Sequence, residues 1–280
     1  MTPPTSGACC VCGQETTRRC SACGKAGLSL YFCSSEHQKL VWFAYKQVCG
    51  PTAKPFAFPP LSKEEVQEAK TGMHIPFLVS GGGTTTHSDG LIDSCISINP
   101  LWFLKFSLAT LLDSLQVDQP SSPLFTFDQR NELICRTRAA VHSLRLRDFP
   151  GLVTPEGSYG PAHDFPPTEM HPVVASCRFA SLLAPALLKR SREVFPAHED
   201  WYIKLLHSLW ILYALRHLQH REVVQHPPAS IPKSAALRSN HLEPYVLSCR
   251  RRLYELARDI KATDKVAGEV VLENLPSRAI

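Results

Sequence analysis

Seven of the chain's eleven cysteines fall within the first 49 residues, and their order points to metal chemistry. Cys9-x2-Cys12, Cys20-x2-Cys23, Cys33-x3-His37 and finally Cys49 set four groups of soft donors along one short stretch. Two thiolates separated by a tight turn can both reach a tetrahedral zinc ion at about 2.3 Å. A stretch this short cannot bury enough apolar surface to fold alone, so it needs a staple. Disulfides are the competing staple. Met1 to Cys10 shows no basic start followed by an apolar run, so an export signal is not expected. In the reducing surroundings that follow, paired Cys-x2-Cys units hold metal more often than each other. An intracellular protein of nucleus or cytoplasm is expected.

The densest part of the stretch reads Tyr31-Phe32-Cys33-Ser34-Ser35-Glu36-His37-Gln38-Lys39-Leu40-Val41-Trp42. With the cysteine spacing from Cys9 to Cys49, it resembles the MYND-type zinc finger. That family reads tyrosine, cysteine, serine, two more residues, cysteine or histidine, glutamine, a tryptophan four residues on, then histidine, lysine and a last cysteine. His37 stands where many members have cysteine, and imidazole nitrogen is also a zinc ligand. The resemblance implies two zinc ions held in an interleaved arrangement. Cys9, Cys12, Cys33 and His37 would hold the first. Cys20, Cys23, Cys49 and a histidine four residues before Cys49 would hold the second, but here that position is Tyr45. Water, the Tyr45 phenolate or an outside group is left as the fourth donor. An unperturbed phenol ionises near pH 10, and three thiolates weaken zinc as a Lewis acid. The second centre is therefore expected to be structural.

Ser34 to Val48 carries apolar residues at spacings near three and four, which predicts a short helix on the metal core. Gln38 and Trp42 are four apart and share one face of it. An exposed tryptophan beside a glutamine can stack on a proline ring and hydrogen-bond an extended backbone. The resemblance gives these two positions a role in binding proline-containing peptides of partner proteins. Residues 1–50 hold Arg18, Arg19, Lys25, Lys39 and Lys46 against Glu15 and Glu36, a net +3 of the chain's formal +5. Such charge suits acidic flanks on a peptide or nucleic acid. Neither an array of fingers nor a long basic helix accompanies it, so groove reading is not expected.

Beyond the finger the composition changes. Pro51, Pro55, Pro59 and Pro60 mark residues 50–61 as a proline-rich linker. Ser62-Lys63-Glu64-Glu65 reads as a capping box opening a helix to about Lys70. Ser80 to Thr86 lacks the lysine of a phosphate loop and reads as a flexible connection. Further helices are expected over Pro100–Leu115, Asp128–Arg147, Val173–Val194 with a bend at Pro185, Glu199–Gln225 and Glu243–Lys261, with an irregular stretch over Pro150–Pro172. The run Trp201–Leu218 includes Lys204, His207, Arg216 and His217, too many polar groups for a bilayer, and predicts a central buried helix. Cys95, Cys135, Cys177 and Cys249 read as isolated core residues. His217, His220 and Glu222 read as a solvated face, and Arg250-Arg251-Arg252 as a helix surface.

The fold expected is mainly α: a disordered stretch over 1–8, a zinc-stabilised finger over 9–49, and an irregular all-α domain over 62–280. The function expected is that of an adaptor rather than an enzyme. A lysine methyltransferase of the SET type, in which one branch of the family carries its finger inside the catalytic domain, is the enzymatic alternative. It would need strand-rich segments on both sides of the finger and a placed Asn-His pair; Asn240-His241 lies in no such context. A nucleic-acid-associated transcriptional regulator is the other alternative.

Overall fold

The computed structural model describes residues 5–72, 76–78, 86–90, 107–116, 125–147, 171–191, 199–225 and 241–275. The expectations for Ser80–Thr85, for residues 150–170, for Cys95 and for the first part of the run from Pro100 lie outside the described residues. Within them the fold is mainly α. The helices are α1 (Ser21–Lys25), α2 (Ser35–Tyr45), α3 (Lys63–Gly72), α4 (Leu108–Ser114), α5 (Phe127–Arg147), α6 (Pro172–Ser191), α7 (Asp200–Gln225), α8 (Glu243–Thr263) and α9 (Lys265–Asn274). Two short antiparallel pairs join them: β1 (Gly7–Ala8) with β2 (Glu15–Thr16), and β3 (Pro76–Leu78) with β4 (Thr86–Gly90).

Compactness divides the chain into two units, each assembled from separated segments. The first comprises Met1–Phe58, Pro166–Ser176 and Leu183–Leu275; the second comprises Pro59–Phe165, Cys177–Leu182 and Pro276–Ile280.

In the first unit the cysteine-rich segment shares a core with α7 and α8. Every residue from Leu209 to Leu215 is buried, as are Tyr202, Ile203, Leu205, Leu206 and His207, so α7 is enclosed around most of its circumference. That is the position an all-round apolar helix takes in a globular core. No helix among the described residues is long and apolar enough to cross a membrane. Helix α8 is one-sided: Val246, Cys249, Leu253, Ala257 and Ile260 recur every three or four residues and are buried. Asp264 then breaks the chain and caps α9, its Oδ1 accepting from the amide of Ala267 at 2.9 Å. Gly268 lets α9 approach α8 closely, since a Cβ there would meet Lys261 Cα at 2.2 Å. The apolar spacing of the sequence extends the reading to Lys261 and does not mark α9.

Residues 50–58 do more than connect. Gly50–Thr52 form a 3-10 turn, and Phe56 and Phe58 are buried. The Phe56 ring meets His207 at 4.8 Å, Phe58 at 5.0 Å and Trp210 at 5.7 Å, all edge to face. His207 Nε2 donates to the Ala53 carbonyl at 2.9 Å, tying this turn to α7.

In the second unit α3 opens on the capping box that the sequence predicts. The Glu65 amide donates to Ser62 Oγ at 3.2 Å, and Glu65 Oε2 accepts from the Ser62 amide at 2.8 Å. Arg138 of α5 holds this start in place. Its buried guanidinium grips Glu65 with both arms at 2.6 and 2.9 Å and donates to the carbonyls of Pro59 and Pro60 at 2.7 Å each. Cys135 and Cys177 are buried as expected but not isolated, since their side chains hydrogen-bond each other. Helix α6 continues through Pro185 to Ser191.

Candidate metal centre

Two turns of the same design present the first ligands. Cys9-Cys10-Val11-Cys12-Gly13 and Cys20-Ser21-Ala22-Cys23-Gly24 each close with a glycine amide donating to the carbonyl of the leading cysteine, at 2.9 Å in both. Gly13 takes φ +79°, a conformation that strains residues with a Cβ, and a Cβ there would meet Ser248 Oγ at 2.8 Å. The first turn rides on the β1–β2 pair, and the Cys10 amide donates to the Tyr31 carbonyl at 2.7 Å.

The start of helix α2 supplies the remaining donors of the first cluster, Cys33 just before its cap and His37 within the helix. Ser34 caps it, with Oγ accepting from the His37 amide at 3.2 Å, so Cys33 and His37 lie on one turn. Cys9, Cys12, Cys33 and His37 bring their donor atoms within 4.8 Å of one another, and Cys20, Cys23 and Cys49 do the same. The two clusters alternate along the chain, so each cross-braces the other. Cys12 and Cys33 sulfurs are 3.5 Å apart, and His37 Nδ1 lies 3.0 Å from Cys33 and 3.7 Å from Cys9. In the second cluster Cys49 Sγ lies 3.6 Å from Cys20 and 3.5 Å from Cys23. Zinc–sulfur bonds of about 2.3 Å give tetrahedral edges of about 3.7 Å. Both clusters therefore fit a zinc-sized ion, the first with four protein donors and the second with three.

The electrostatics match the donor set. Burial raises the Cys9 thiol, but the amides of Cys12, Cys33 and Val11 offset it and hold the group at about 6. Hydrogen bonds from the Cys23 side chain outweigh burial at Cys20 and bring it down to about 5. Cys33 moves the other way, to about 12, through desolvation and the neighbouring Cys12 and Cys9 sulfurs. One ionised thiol thus forces its neighbours to keep their protons. A divalent cation removes that conflict, because its ligands bind deprotonated.

Tyr45 lies at the second cluster and is fully buried. Its hydroxyl lies 2.8 Å from Cys23 Sγ. Burial, and then the charge of Cys23, push its phenol well above the ordinary value. Gln38 also turns toward this cluster, Nε2 donating to Cys20 Sγ at 3.8 Å. Trp42 is 41% exposed, with its ring 6.4 Å from that of Tyr45.

Helix α8 supports the first turn from behind. Cys249 Sγ donates to the carbonyls of Cys10 at 3.1 Å and Val11 at 3.4 Å, and Arg252 donates to the Cys10 carbonyl as well. The triple arginine is only partly a surface. Arg250 is buried with its guanidinium 5.9 Å from the Tyr254 ring, Arg252 serves the metal turn, and Arg251 alone is well exposed, 4.0 Å from Glu255. Cys249 is therefore not isolated either, a role its sequence surroundings do not reveal. His217 stacks on Phe43 at 5.9 Å and meets His171 edge-on at 5.8 Å instead of facing only solvent. His37 likewise packs edge-on against Tyr245 of α8 at 5.0 Å.

Comparison with family models, curated proteins and solved structures gives no match.

Proposed function

We propose that the cysteine-rich segment is a MYND-type zinc finger holding two zinc ions, and that the protein is an adaptor that binds proline-containing peptide segments of a partner. The observation that carries the reading is the juxtaposition on α2. One helix contributes His37 to the first cluster, Gln38 and Tyr45 to the edge of the second, and Trp42 to solvent. Burial of large apolar side chains is the rule for a packed helix, so an indole exposed over a metal-braced helix is a ready anchor for a proline ring. Bound zinc would fix α2 against both Cys-x2-Cys turns, presenting that indole from a rigid base. Thiolate-rich centres are poor Lewis acids, which favours binding over catalysis.

The test is a selection of proline-containing peptides from a displayed library on the zinc-loaded full chain, followed by titration calorimetry. Trp42→Ala should weaken the selected peptide at least tenfold, about 1.4 kcal/mol or more, while zinc per chain stays unchanged. Loss of zinc in that variant would make Trp42 a packing residue, and unchanged affinity would remove it from the binding face.

A further inference from the structure

The second cluster differs from the first in how its nearest fourth side chain is placed. In the first, His37 Nδ1 touches two sulfurs, those of Cys9 and Cys33. In the second, the Tyr45 oxygen hydrogen-bonds Cys23 and neither Cys20 nor Cys49. His37 bridges sulfurs from two parts of the chain, whereas Tyr45 contacts one.

We infer that Tyr45 is not a ligand but a hydrogen-bond donor to the Cys23 thiolate, and that the second centre is a three-thiolate metal site whose fourth position takes a small donor from solution. This rests on the metal reading proposed above. Three thiolates around a dication leave one net negative charge, and a hydrogen bond to a thiolate offsets part of it. Helix α2 provides two such bonds, Tyr45 to Cys23 and Gln38 to Cys20, from positions seven apart and so on one face. Cys49 is half-buried, so the centre is not sealed from solvent. The ligand class that fits is a monodentate nitrogen or sulfur donor such as imidazole or a simple thiol, with water in its absence.

The test uses the full chain loaded with cobalt(II), whose visible bands report the donors around each ion, with imidazole as the probe. Wild type should hold two metals, and imidazole should shift the bands of one of them in a saturable way. Tyr45→Phe, which keeps the packed ring, should show the wild-type bands and the same response, with metal held about tenfold less tightly at that site. Tyr45→His should show the shifted bands without imidazole and no longer respond. A wild type indifferent to imidazole, or a Tyr45→Phe spectrum already altered before imidazole is added, would overturn the inference. One metal per chain would also overturn it while leaving the finger standing. No metal at all would instead overturn the proposed function.

Discussion

Acid should destabilise the first unit through His207. The imidazole is fully buried, its Nε2 donates to the Ala53 carbonyl, and the rings of Phe56 and Tyr45 lie against it. Desolvation outweighs that hydrogen bond and lowers it from the ordinary 6.5 to about 4. Between those two values the unfolded chain takes up a proton that the folded chain does not. Stability therefore falls as pH falls through that window, and the neutral form is the folded one. At about 1.4 kcal/mol per pH unit, the loss amounts to about 2 kcal/mol between pH 7 and pH 5, and about 3 kcal/mol by pH 4. Acid also protonates thiolates and releases metal, so the effect must be read as a difference. His207→Gln keeps an N–H for the Ala53 carbonyl and cannot take up that proton. Urea unfolding of both proteins, metal-loaded, at pH 7 and pH 5 should show wild type losing about 2 kcal/mol more than the variant. Equal pH slopes would refute the reasoning, because they would mean that His207 reaches solvent or is charged in place.

Two further perturbations address the metal and the second unit. Cys33→Ser should lower zinc from two ions to one per chain by elemental analysis, and should lower the thermal midpoint of the helical circular dichroism signal. The reason is that α8 hydrogen-bonds the carbonyls of Cys10 and Val11 inside the turn that bound zinc would organise. An unchanged midpoint would show that α8 does not depend on the turn. Arg138→Leu removes the cation held by Glu65 and the donor of the Pro59 and Pro60 carbonyls, and should cost about 3–5 kcal/mol in denaturant unfolding. A loss under about 1 kcal/mol would mean that water replaces the guanidinium.

The grouping of distant cysteine pairs into clusters followed from the family resemblance, whereas the Cys-x2-Cys pairs were legible because their spacing is a local property, a tight turn bringing two sulfurs together whatever surrounds it. The same holds for Ser62 and Glu65, where the cap is complete within four residues, and for α7, whose apolar residues run around the helix. What the chain does not reveal locally is partnership across long separations. Phe56 and Phe58 sit among prolines and read as a connector, yet their rings fill the space beside Trp210. Cys249 and Arg252 lie in an ordinary amphipathic helix, and nothing in their neighbours signals a carbonyl of Cys10. Tyr45 was legible as a departure from a pattern but not as a hydrogen-bond partner of Cys23, since that depends on where α2 sets its hydroxyl. Helix α9 escaped because Asp264 and Gly268 interrupt the apolar rhythm that defines α8.

The bond from Arg252 to the Cys10 carbonyl spans 242 residues, which sets an order of events during synthesis. At about 5–20 residues per second, roughly ten to fifty seconds separate the emergence of the metal turn from that of the helix that braces it. Over that interval the thiols of the turn are without α8 behind them. A metal bound in that interval would find a turn whose Cys10 and Val11 carbonyls lack the donors of α8. The nascent chain carries its candidate ligands before their seat, and α8 closes that seat.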